Sequence, residues 1–339
     1  MKATKKQLAV IDAPYAIQLI SWKGRDYCIA ASEERNGEIV LIDLESKRVQ
    51  KVIGLKGGIM NIIPDEDGSM FAIERFYPVF QSEKARIMRF TLNESDGDEI
   101  IADVELVADL PYVHRILTLD TPEGKKIVAG TLCETKAFEQ DWSSPGSVYI
   151  MPARAGALPE RLPELIHKNH GMWRYNKNES ILISGVEGVY ELSLQEGRPK
   201  LSRIMEREVS DICMFDLDGD GQDELITIEK FHGDEINVYS SKGDSWELLA
   251  HADVKFCHAI WAGIISGEPC ILACNRGGDM ETVMYKVHSS KGGEMQLSPE
   301  VIDSGTGGAN LAVLQKDGAV LLMTANRNCG EIAAYALKI

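Results

Sequence analysis

Residues 210–239 read SDICMFDLDGDGQDELITIEKFHGDEINVY, and the parsing of this stretch decides the fold. Asp211-Ile-Cys-Met-Phe215 is a short apolar run, and Asp216-Leu-Asp-Gly-Asp-Gly221 is a turn dense in carboxylates and glycine. Leu225-Ile-Thr-Ile228 is a second run, rich in β-branched residues. After the polar loop 229–234 comes Ile236-Asn-Val-Tyr239, with alternating faces. Short β-branched runs punctuated by Gly, Asp and Asn predict strand, tight turn, strand, loop, strand, which is a β-meander.

The meander recurs, and recurrence at a fixed period is the mark of a repeat architecture. Its first strands begin at Tyr15, Ile59, Val113, Asn169, Asp211, Cys257 and Ala309. A fourth strand follows most units, at Val49–Ile53, Val104–Val107, Glu164–Ile166, Leu201–Met205, Trp246–Leu249 and Glu300–Ile302. Units of four strands at intervals of about 40–50 residues predict an all-β fold, a seven-bladed β-propeller in one domain spanning 1–339. The last unit stops after its third strand. Gln7-Leu-Ala-Val-Ile-Asp12 imitates Pro299-Glu-Val-Ile-Asp303 and is expected to supply the missing outer strand beside Glu331–Leu337. That closure removes an open sheet edge.

The chain has 339 residues, 44% of them hydrophobic, enough for a large core. Its net charge of −16 argues against nucleic acid and anionic membranes as partners, since both require a basic surface. No apolar stretch reads as a signal peptide or approaches the ~18 residues of a membrane span. The seven cysteines sit mostly inside apolar strands and form no CxxC pair, which suggests reduced thiols and a cytoplasmic protein.

In a propeller the innermost strands line a central channel. Aligning the units places Ala16, Met60, His114, His170, Asp211, His258 and Ala309 or Asn310 at one equivalent position. Histidines from separate units around one axis suggest a divalent transition metal (Zn²⁺, Mn²⁺ or Fe²⁺ rather than Mg²⁺), held by His114, His170 and His258 with Asp211 completing the shell. The plainer alternative is histidines that cap strand starts across a wet channel. The loops on the same face repeat a polar pattern: Glu33-Glu34-Arg35, Glu74-Arg75, Glu134 to Lys136, Glu229-Lys230-Phe231-His232, Asn275-Arg276 and Asn326-Arg327. Arg75, Glu134, Lys136, Asn275, Arg276, Asn326 and Arg327 are therefore expected to grip substrate hydroxyls or an oxyanion, unless they are simply solvated. Tyr77, Trp142 and Trp173 are candidates to stack on a sugar ring, or else are core.

The turn at Asp216, Asp218, Asp220 and Asp223 has carboxylates at a spacing that converges on a hard cation. It joins first and second strands, so it belongs to the opposite face, and Ca²⁺ there would be structural. The alternative is an empty acidic turn. An EF-hand is excluded, because the flanks are strands.

The Asp-x-Asp-Gly-Asp-Gly turn resembles FG-GAP/VCBS propeller repeats. Val113-His114-Arg115, the strand start at His170, Glu229-Lys-Phe-His232-Gly-Asp-Glu-Ile-Asn-Val-Tyr239 and His258 together resemble the propeller of aldos-2-ulose dehydratase (1,5-anhydrofructose dehydratase). These 339 residues are expected to form the propeller alone, without the cupin-like domains that follow it there. The resemblance implies a metal-assisted carbon–oxygen lyase acting on a small keto-sugar. In that chemistry a metal polarises the ketone. His232 is the expected general base, with Glu229, Lys230 or Arg276 binding hydroxyls or assisting the leaving group. Two rivals stand beside it. One is a lyase acting on uronic-acid saccharides through Arg35, Arg75, Arg276 and Arg327; the other is a non-catalytic binding propeller.

Overall fold

The computed structural model describes residues 2–77, 82–175, 180–243, 245–289 and 294–338. The regular structure of the described chain is β-strand, apart from one 3-10 turn at Ser82–Lys84. The stretch read first forms strands Asp211–Phe215, Glu224–Glu229 and Glu235–Lys242, with Ser245–Asp253 as the fourth. They pair antiparallel in chain order.

The same order recurs in every sheet. Five sheets have four strands, and one has eight. The eight-stranded sheet is two meanders joined at their outer edges by a short parallel ladder, Val52 to Ile100 and Ile53 to Ile101. Second and third strands are buried on both faces. Ile39–Asp43, Met70–Glu74 and Glu224–Glu229 are buried throughout, which explains their near-continuous apolar sequence. The core lies between adjacent sheets. One cluster joins Val128 and Ile150 to Ile181, Ile183 and Leu192; another joins Cys213, Ile226 and Val238 to Ile260, Ile271 and Val283. Burying each such side chain contributes about 1.5–3 kcal/mol, so the sheets hold one another by interleaved faces.

First strands form a closed circle. Pro14–Trp22 touches Asn61–Pro64, which touches Val113–Thr121, followed by Gly171–Tyr175, Asp211–Phe215, Cys257–Ile265 and Gly308–Lys316, and this last strand returns to Pro14–Trp22. The circle is sealed by the chain's beginning. Lys2–Val10 pairs antiparallel with Glu331–Lys338, outside Ala319–Asn326 and Gly308–Lys316. The closing strand begins already at Lys2 and ends at Val10, so Ile11 and Asp12 lie beyond it.

Candidate functional site

Pairing between first and second strands slips at one place in several sheets. Val113 faces Thr131 and Arg115 faces Gly130, leaving His114 bulged between them. Tyr15, His258 and Ala309 are bulged in the same way. A bulge re-aims a side chain. In the other sheets the equivalent backbone N–H bonds a second-strand carbonyl: Met60 to Ile73, His170 to Ser184 and Ser210 to Ile228. The layer facing the channel is therefore Tyr15, Met60, His114, His170, Ser210, His258 and Ala309.

Two expected positions move by one residue. Ala16 gives way to Tyr15 and Asp211 to Ser210. A one-residue slip sends a strand side chain to the other face, so Asp211 is not beside the histidines as a fourth ligand. It lines a second cavity with Asn61, Arg115, Trp173, Trp261 and Asn310, and its carboxylate lies 3.6 Å from Arg115. Burial lifts the Asp211 pKa to about 6 against the opposing pull of Arg115.

The upper cavity has a volume of about 390 Å³ and is walled by Tyr15, His114, His170, His232, His258 and Arg276, with aromatic rings around them. His170 Nδ1 donates to the Ser210 carbonyl at 3.1 Å, and His258 Nδ1 donates to the Ala309 carbonyl at 2.8 Å. Those bonds fix the tautomer and turn each Nε2 lone pair inward. His232 enters from the loop after a second strand, with φ of 48°. Phe231 stacks on its ring at 4.0 Å and Phe256 lies 5.0 Å away. Its Nε2 sits 3.3 Å from His170 Nε2.

One donor atom from each of His170, His232 and His258 falls within 4.8 Å of the others. Two nitrogens bound to one tetrahedral Zn²⁺ at ~2.0–2.1 Å stand about 3.3 Å apart, which matches the His170–His232 spacing. His232, expected as the base, thus belongs to the metal-competent group. His114 stands outside it, with its ring centre 4.5 Å from that of His170. His114 Nε2 faces the Tyr15 hydroxyl at 3.4 Å, and its buried Nδ1 makes no hydrogen bond of good geometry. Tyr15 also approaches His258 Nε2 at 3.5 Å. Burial pushes its phenol up to about 12. Burial likewise holds His114, His170 and His258 well below 6.5, and takes His232 down to about 3 with help from Arg276, Lys168 and Arg115. All four imidazoles are neutral at pH 7, the form that ligates metal or accepts a proton.

The expected loop residues divide. Arg276 and Arg327 reach the cavity, joined by Glu33, whose carboxylate accepts from Arg327 Nε at 2.6 Å. Glu229 turns into the sheet instead, accepting from Thr227 and Tyr239 hydroxyls at 2.8 Å and from Arg207, while Lys230 is exposed. Asn326 is fully buried, donating to Glu331 and Tyr335, and Asn275 lines a separate surface cleft. Arg75 lies 3.7 Å from Glu74, a carboxylate already held by Arg86, and Tyr77 is covered by the Arg35 guanidinium at 4.0 Å. Glu134 pairs with Arg161 at 2.9 Å. Trp173 borders the lower cavity, whereas Trp142 closes on the upper one, packed on Phe231. Lys136 does not face the cavity; it donates to the Glu139 and Asp141 carbonyls and lies 3.3 Å from the Trp142 ring centre, shaping the loop that carries that ring.

In the acidic turn Asp216, Asp218 and Glu224 converge, while Asp220 and Asp223 stay outside the group. The turn uses its carboxylates locally: Asp216 accepts from the Gly219 and Gly221 amides, Asp218 from Asp220 and Asp220 from Gln222. Glu224, absent from the sequence expectation because it falls on the strand, is raised to about 7 by burial.

No protein-family model matches this chain, and no curated protein matches its sequence. Among solved structures it is similar to the β-propeller domain of Cps50 (Swd1) from Myceliophteria thermophila. The TM-score is 0.62 at 12% identity, with 99% of this chain and 100% of that one covered. It is also similar to a putative 6-phosphogluconolactonase from Bacteroides uniformis, with TM-score 0.56 at 9% identity, covering 88% and 90%. The fold is an all-β propeller. At this identity the likeness speaks for the fold alone.

Proposed function

We propose that this chain is a cytoplasmic, single-domain propeller of seven blades, counting the eight-stranded sheet as two, and a metal-dependent carbon–oxygen lyase acting on a small keto-sugar. The observation that carries the enzymatic part is the meeting of His170, His232 and His258 inside a cavity that also holds a neutral phenol, a fourth imidazole and a guanidinium. Their carbonyl-fixed tautomers and the 3.3 Å nitrogen spacing suit a divalent transition metal. A metal bound by these three histidines would supply Lewis-acid polarisation of a substrate ketone.

The remaining side chains suit the proton movements of β-elimination. His114, neutral and within reach of the cavity, accepts the α-proton as the C–H bond breaks and the C=C bond forms. Tyr15 donates to the departing hydroxyl as the C–O bond breaks, and water leaves. The 3.4 Å contact between the two then returns the proton from imidazole to phenolate. This arrangement moves the base from His232 to His114 and leaves Glu229 and Lys230 without a chemical role. Trp142, Phe231 and Phe256 exclude water from the sugar face.

Metal analysis of the purified protein, followed by absorbance screening of keto-sugars for enones, tests the assignment. Stoichiometric metal lost in His170→Ala, with enone formed by the parent, is the expected result. One observation favours a second reading: 3.3 Å also suits a hydrogen bond from His232 Nε2–H to His170 Nε2. A metal-free protein that forms no enone would be a ligand-binding propeller held by that bond. Calcium at Asp216, Asp218 and Glu224 is proposed only as a structural ion of that turn.

A further inference from the structure

The cavity wall carries two guanidinium groups, Arg276 and Arg327, and two carboxylates, Glu33 and Glu139, and only Arg327 and Glu33 are joined as an ion pair. Glu33 is occupied by Arg327, through Nε at 2.6 Å and also through Nη2. Lys168 lies 3.4 Å from Glu208, and Arg115 lies 3.6 Å from Asp211. Among the described residues Arg276 has no ion-pair partner. Its Nε donates to Asn328 Oδ1 at 3.4 Å, and its guanidinium lies 5.2 Å from the Phe256 ring centre. Glu139 also borders the cavity, but from an exposed loop. A partly buried guanidinium gives up hydration, and here burial and the neighbouring Arg327 disfavour its charge more than Tyr15 and Glu33 favour it. A protein of net charge −16 therefore keeps a guanidinium without an ion-pair partner, among the described residues, in the cavity lined by His114, His170, His232 and His258. Phe256 packs against the guanidinium, whose planar fork is suited to two parallel N–H···O bonds with an oxyanion.

We propose that Arg276 is an anion-recognising specificity residue, and that the sugar bound here carries an oxyanion, carboxylate or phosphate. This rests on the reading of the upper cavity as the substrate site. Sugar acids and sugar phosphates share the chemistry Arg276 would bind, so both are measured.

Calorimetric titration of the full chain with glucuronate, glucose 6-phosphate and glucose, in metal-free buffer, tests it. One anionic sugar should bind at least about 10-fold more tightly than glucose, and which one it is separates carboxylate from phosphate. Arg276→Gln should weaken that sugar by about 10- to 100-fold and leave glucose unchanged. Arg276→Lys should keep part of the preference, and Arg198→Gln on the outer surface should keep all of it. If Arg276→Gln does not fold, Arg276→Lys and the loss of preference with rising salt carry the test. Equal binding of all three sugars, no binding of either anionic sugar, or an undiminished preference in Arg276→Gln would each overturn the proposal. Anion-dependent binding without elimination would sink the lyase assignment alone. Elimination from a neutral keto-sugar with no anion preference would do the reverse.

Discussion

Two layers of side chains cross the same channel one residue apart, and they treat charge in opposite ways. The upper layer gathers Tyr15, His114, His170 and His258, all neutral, with His232 added from a loop. The lower layer sets Arg115 against Asp211 between Asn61 and Asn310. Both are polar surroundings inside an apolar ring. The upper one holds His170 and His258 by backbone carbonyls and leaves ring nitrogens facing a cavity. The lower one satisfies its charges with each other. Unspent ligand atoms beside a cavity mark the candidate reaction site; a self-paired charge marks support beneath it.

The severest test opens the ring under both layers. Deleting residues 1–10 removes the outer strand beside Glu331–Lys338 and exposes its edge. A loss of more than about 4 kcal/mol in denaturant unfolding is expected, with both cavities lost together. A truncated protein as stable as the parent would show that the closing strand supports neither layer.

The second test asks whether the upper layer does chemistry. Tyr15→Phe keeps the ring packing but removes the hydroxyl that meets His114 and His258. Turnover should fall by about 10²–10⁴-fold while metal content holds. Asp211→Asn in the lower layer should leave turnover within a few-fold. Equal losses in the two variants would erase the distinction between the layers.

The third test uses pH, because the layers are linked to protons with opposite signs. The upper histidines have folded pKa values below the unfolded 6.5, His232 at about 3, so the unfolded chain binds more protons as pH falls below 6.5. Their contribution to stability is complete above 6.5 and is lost as pH falls. Asp211 is raised to about 6 from 3.8, so the folded state binds the extra proton, and stability falls as pH rises from about 4 to 6. Melting curves across pH 4–7 should therefore show Asp211→Asn gaining on the parent as pH rises, and His232→Phe gaining on it as pH falls. Parallel curves would mean that neither layer is perturbed.

The smallest effect is expected at the rim. Lys136→Ala removes two bonds to loop carbonyls and the cation over Trp142. KM should rise several-fold with kcat and metal content unchanged. A fall in kcat instead would put this loop in the chemical step.

The repeat was legible because each strand carries its own local signal. β-branched runs, Gly and Asp turns and the spacing of first strands need no partner to be read. The residues His114, His170, His258, His232, Arg276 and Arg327 were legible for the same reason, since each follows a repeated landmark. Tyr15 was not, because a bulge shifts it into the layer and leaves Ala16 in the expected slot. Asp211 failed conversely: its strand pairs without a bulge, so Ser210 occupies the layer. Glu229 and Asn326 also looked available in sequence, yet each is consumed by hydrogen bonds inside its own sheet.

The sequence by itself determined the strands, their order, the net charge and the chemistry of the side chains near the channel. Hydrophobic period and turn residues act over a few positions, so a linear reading captures them. Which side chains meet was decided by tertiary structure. A bulge of one residue turns a side chain toward the channel or away from it, and only pairing across the sheet fixes where bulges fall. The union of His170 and His258 with the loop residue His232, and the isolation of Arg276 once Arg327 has taken Glu33, arise only when the ring closes.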